Sequence, residues 1–97
     1  MSDKYILKDR IPVPCHDLLT WAKWFESADR KVARDELSND VKVSTVFLGL
    51  DHSFGNGPPL LFETMIFGGT HDDYQERYTT WEDALAGHQA AIKIAQS

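Results

Sequence analysis

At 97 residues the chain is long enough for one small domain and too short for two, so a single core must hold it together. A hydrophobic content of 42% excludes disorder, and a net charge of -5 excludes a general grip on nucleic-acid backbones, which needs a basic surface. No apolar run is long enough to cross a bilayer, the N-terminal residues lack the apolar core of a secretion signal, and Cys15 is the only cysteine. A cytoplasmic protein without an internal disulfide framework is expected.

Residues 5–7 can form a first short strand, which Pro12 and Pro14 would end or confine to a sheet edge because neither prolyl nitrogen can donate. A helix is expected over 16–30. Leu18, Trp21, Trp24, Phe25 and Ala28 fall on one side at 100° per residue, and Asp17 is placed to cap it. For 30–37 a strand is preferred, since Ser38-Asn-Asp40 is a turn signal leading into Val41 and so into a hairpin; a continued helix is the competing reading.

The stretch 41–50 alternates Val41, Val43, Thr45 and Phe47 with Lys42, Ser44, Val46, Leu48 and Leu50. Its expected partner, 60–67, sets Leu60, Phe62, Thr64 and Ile66 against Leu61, Glu63, Met65 and Phe67. Both strands are partly apolar on both faces, while only two helices are available as cover. Either the helices divide between the faces or a second subunit covers one; the second is the preferred reading and gives a homodimer. Between the strands lies Asp51-His-Ser-Phe-Gly-Asn-Gly-Pro-Pro59, whose glycines and prolines suit neither helix nor strand. Such a loop displays Asp51, His52 and Phe54 from the end of a rigid hairpin.

Gly68 and Gly69 stop the second strand, and Thr70-His-Asp-Asp-Tyr74 leads to a short strand over 76–78. A closing helix starts after Thr79 and Thr80, where Thr79 with Glu82, or Thr80 with Asp83, makes a capping arrangement. Its stripe is Trp81, Ala84, Leu85, His88, Ile92 and Ala95, with Ile94 roughly opposite. The expected architecture is α+β: a four- to five-stranded antiparallel sheet, one helix near the N-terminus and one at the C-terminus. Trp21, Trp24 and Trp81 are expected in its core.

Candidate chemistry is sparse. His52 beside Asp51 and His71 beside Asp72 and Asp73 fall at opposite ends of 60–67, about 25 Å apart at about 3.3 Å per residue, too far to share a metal within one subunit. Cys15 and His16 are neighbours on an extended chain and point in opposite directions, poor geometry for proton transfer. The Gly55-Asn-Gly57 segment lacks the following Gly-Lys-Ser/Thr of a phosphate loop, and Pro58-Pro59 block the helix such a loop needs. Glu63 interrupts an apolar run and needs a partner if buried. Arg77 is the natural one, with Arg30 and Arg34 as further candidates.

Several segments together carry a resemblance over almost the full length: Trp21-Ala-Lys-Trp-Phe25 with Ala28-Asp-Arg30, Val43-Ser-Thr-Val-Phe-Leu-Gly-Leu-Asp-His52, Gly57-Pro-Pro-Leu-Leu-Phe-Glu-Thr-Met-Ile-Phe-Gly-Gly69, and Arg77-Tyr78 with Thr80-Trp-Glu-Asp-Ala84 and Gly87-His88. On these the chain resembles a family of small, functionally uncharacterised proteins of tailed phages and prophages. The resemblance implies a phage or prophage origin and life in a bacterial cytoplasm. It brings no catalytic residues.

The leading expectation is a non-enzymatic accessory protein that binds a host component, for counter-defence or host takeover. Asp51, His52, Phe54, Glu63, His71 and Arg77 are its candidate contact residues, and no cofactor or metal is expected. A nucleotide-signal sponge, with aromatics stacking a base and Arg30, Arg34 or Arg77 on phosphate, is the alternative. A small metal-dependent hydrolase using His52, His71 and nearby acids is a further one.

Overall fold

The computed structural model describes residues 3–97, with Asn39 described by its backbone alone. Met1 and Ser2, part of the N-terminal segment read above for a secretion signal, lie outside the described residues. The fold is α+β, with two helices and two antiparallel sheets. One sheet is a hairpin of β1 (Tyr5–Lys8) and β2 (Ile11–Pro14); the other is a meander of β3 (Lys31–Glu36), β4 (Lys42–Phe47), β5 (Phe62–Phe67) and β6 (Gln75–Tyr78). Helix α1 (Leu18–Ser27) follows the hairpin and α2 (Trp81–Ala95) closes the chain.

The first strand therefore belongs to its own hairpin rather than to the main sheet. The turn consists of Asp9 and Arg10, both left-handed at φ 51° and 69°, which makes a two-residue connection without the glycine that usually marks one. Pro12 and Pro14 pair with Leu7 and Tyr5 on β2, an edge strand where missing donors are tolerated. The hairpin docks through Tyr5, whose amide donates to Gly49 O at 2.8 Å, and through the Trp21 indole, which donates to Tyr5 O and Gly49 O at 3.1 Å each.

The preferred strand at 30–37 is present as β3, joined to β4 by a 3-10 turn at Ser38–Asp40. Asp17 caps α1 by accepting from Leu19 N, and Thr80 caps α2 by accepting from Asp83 N, so the second of the two possible capping pairs is the one formed. Register places Val43 opposite Ile66, Thr45 opposite Thr64 and Phe47 opposite Phe62, all buried beneath α2.

The core divides into two apolar clusters. Val41, Val43, Ile66 and Ala91 form one; Phe47, Leu61, Phe62 and Ala84 form the other, flanked by Tyr5, Leu7, Trp24 and Trp81. Each fully buried Phe, Leu or Ile contributes about 1.5–3 kcal/mol, so the two clusters dominate the stability of so small a domain. Trp24 meets Phe47 edge-on and Trp81 meets Phe62 edge-on, while Trp21 stacks on Phe25 at 4.8 Å; the tryptophans are half-buried packing residues.

The expected stripe on α2 holds at Trp81, Ala84, His88, Ile92 and Ala95 and fails at Leu85 and Ile94. Ala84, His88 and Ala91 face the sheet, Leu85 is 40% exposed, and Ile94 packs against the Val43 cluster instead of lying opposite it. Small residues win the contact line because they bring the helix axis close to the strands, where a leucine would hold it off. Gly87 serves the same end: a Cβ there would collide with the Tyr78 ring and hydroxyl.

The two helices do not divide between the faces of the sheet. α2 covers the Val43/Phe47 face, and α1 sends Trp24 to that same face. The opposite face, with Lys42, Ser44, Val46, Glu63, Met65 and Phe67, is covered by no described element.

Candidate functional site

The 51–59 loop is held at both ends. Asp51 N donates to Asp3 O and His52 N to Leu60 O, while Asp51 Oδ1 accepts from Ser53 N at 2.8 Å and Leu60 N at 3.0 Å. One carboxylate oxygen thus ties the start of the loop to its end. Desolvation pushes the Asp51 carboxyl up, but the Ser53 and Leu60 amides, the Ser53 hydroxyl and neighbouring His52 hold it below the ordinary value. Phe54 stands on this anchored loop at 96% exposure.

Between the loop and the β1–β2 hairpin lies a half-open cleft of about 400 Å³, whose walls include Tyr5, Pro14, His16, Asp51, Asn56 and Pro59. Elsewhere on the surface, in the first turn of α1, Leu18 and Leu19 are 59% and 71% exposed. No apolar run in the sequence announced this cleft, because its walls come from three segments joined only by docking of the hairpin.

The other candidate residues sit elsewhere. Glu63, with its side chain 12% exposed on the open sheet face, accepts from Arg77 Nε at 2.9 Å and Gln75 Nε2 at 2.5 Å through one oxygen. Arg30 lies over the Phe25 ring and donates to Phe47 O, and Arg34 is 3.7 Å from Glu36, so neither reaches Glu63. His71 lies beyond the far end of β5, with Nε2 3.3 Å from Ser97 Oγ; nearby Asp72 closes its turn by accepting from Gly68 N. The six residues therefore form three separate groups: Asp51, His52 and Phe54 at one end, Glu63 with Arg77 on the open face, and His71 at the other end. Among the described residues, no three His, Cys, Asp or Glu side chains are grouped to hold a metal ion.

One constellation escaped the sequence reading. His88, fully buried, has Nδ1 2.7 Å from Thr45 Oγ1 and Nε2 2.7 Å from Asp35 Oδ2; Thr45 Oγ1 is 2.5 Å from Thr64 Oγ1. An ionised Asp35 can only accept, so Nε2 carries the proton, and in the neutral ring Nδ1 accepts from Thr45, which accepts from Thr64. The order Asp–His–hydroxyl matches a hydrolytic triad, but its exposure is reversed. Asp35 is 49% exposed and Thr45 is sealed at 0%, whereas a nucleophile must be reachable. The chain of bonds satisfies polar groups between the two apolar clusters and ties β3, β4, β5 and α2 together.

No family model, curated protein or solved structure matches the chain.

Proposed function

We propose that this protein is a non-enzymatic phage or prophage accessory domain that binds a protein of the bacterial host, in its cytoplasm, and that the 51–59 loop is the contact. The observation that carries this reading is Phe54, 96% exposed on a loop that Asp51 fastens at both ends. Leaving such a side chain in water forgoes about 1.5–3 kcal/mol of burial that a partner surface would recover. Rigid aromatic anchors are the residues on which protein interfaces concentrate their energy. A role in blunting a host defence or redirecting a host process fits a small domain whose exposed aromatic is held on an anchored loop.

The nucleotide-sponge reading draws on the cleft, but Arg30, Arg34 and Arg77 are engaged at other places and none lines it. Self-association through the open sheet face is a companion proposal. Four strands about 4.8 Å apart and about 20 Å long offer roughly 400 Å², about half of the roughly 800 Å² per partner of a stable interface. The dimer is accordingly concentration-dependent.

Affinity capture from bacterial lysate tests the main reading, with wild type and Phe54→Ala compared by quantitative mass spectrometry. A host protein depleted at least tenfold by the substitution, at unchanged melting temperature, is the expected result. An identical capture profile for both baits contradicts it.

A further inference from the structure

We propose that the cleft beside the loop accepts a lysine or arginine side chain from an extended segment of the partner protein, with Phe54 on the loop gripping a neighbouring apolar residue of that segment. The inference rests on the loop-contact reading above and adds the chemistry of the partner.

Size, charge and shape point the same way. A cleft of about 400 Å³ is at the small end of ligand pockets, enough for one long side chain. Its one wall carboxylate is Asp51; Lys4, next to Tyr5 in sequence, lies 3.3 Å from the Asp3 carboxylate. Asp51 is already immobilised by two amides on Oδ1, so ordering it for a cation adds little entropic loss. Tyr5, Pro14 and Pro59 supply flat apolar wall for a methylene stem, the part of lysine or arginine that packs while its head pairs. A net charge of -5 favours encounter with a basic segment over an acidic one.

The test starts by panning a random dodecapeptide library against the whole immobilised protein. Enriched peptides are expected to carry arginine or lysine next to an apolar residue. The best arginine peptide is then titrated against wild type, Asp51→Asn and Phe54→Ala, and re-titrated with citrulline in place of arginine. The side-chain carbonyl that Asp51→Asn introduces can still accept the same two amides, so the loop stays closed and only the charge goes. At least tenfold weaker binding to Asp51→Asn, and the same loss for the citrulline peptide on wild type, is the predicted outcome; the citrulline arm stands even if the variant fails to fold. No enriched peptide, enrichment without basic residues, or citrulline binding equal to arginine overturns the inference. If peptides without a basic residue bind and are lost with Phe54→Ala, the partner chemistry is wrong and the loop contact survives. If Phe54→Ala binds as wild type does, the loop contact fails as well.

Discussion

Position 88 could have carried a third small residue on the buried line of α2; it carries a histidine, and the side chains around it explain why that is tolerated. Asp35, Thr45 and Thr64 give both ring nitrogens and two buried hydroxyls a partner. His88→Ala removes the acceptor of the sealed Thr45 hydroxyl, leaving it only its bond with Thr64, and opens a cavity, so a loss of about 2–4 kcal/mol in urea unfolding is predicted. A loss under about 1 kcal/mol would contradict the network's structural role. Tyr78 offers the opposite case, since its Oη is buried with no hydrogen-bond partner among the described residues. Tyr78→Phe should change stability by no more than about 1 kcal/mol. Burial, assisted by Tyr74 and Glu76, pushes the Tyr78 phenol above its ordinary value. Its contribution is then full below about pH 10 and fades as pH rises through the folded value, so the phenylalanine variant should show a shallower alkaline loss in pH-dependent unfolding. Thr45 and Thr64 were legible as polar interruptions of apolar strand faces. Their pairing required the register, and Asp35 reaches His88 only because an edge strand lies beneath the helix.

Element boundaries and caps were readable because they are local. Asp17 and Thr80 occupy N-cap positions for reasons confined to three or four residues, and Asp17→Ala should lower the melting temperature by a few degrees in thermal unfolding. The Thr20 hydroxyl and the Leu19 amide hold the Asp17 carboxyl below its ordinary value. Its cap therefore contributes fully above about pH 4 and weakens as pH falls toward the folded value. Helix phase was less readable. The expected stripe held at Trp81, Ala84, His88, Ile92 and Ala95, but Leu85 falls outside it and Ala91 is fully buried on the contact line, where a small residue lets the helix approach the strands. Gly87→Ala tests this, since the added methyl would meet the Tyr78 ring. A strong destabilisation is expected, and Tyr78→Phe should not rescue it because the ring remains. The β1–β2 turn was missed for a different reason: Asp9 and Arg10 adopt positive φ without a glycine, and docking through Trp21 and Gly49 over-determines them.

For the whole molecule, the imbalance of apolar surface noticed in the strands is resolved on one side only. Both helices serve the same face of the sheet, leaving Val46, Met65 and Phe67 among the charged pairs of the other. Sedimentation velocity across a concentration series should show a monomer that begins to pair as concentration rises; a dimer independent of dilution would mean that more than this face is buried. The loop and the cleft form a second surface at the Phe47/Phe62 end of the molecule. Asp51 and Phe54 were legible there from composition alone, whereas the walls supplied by Tyr5, Pro14 and His16 were not, because they arrive through the docked hairpin. The most direct test of the loop as the functional contact is to place a photo-crosslinking phenylalanine analogue at position 54, and separately at exposed Gln89 on α2, in the protein expressed in a bacterial host. A discrete crosslinked host protein from position 54 and none from position 89 is the predicted result; the same pattern from both positions, or no product from position 54, would contradict the account.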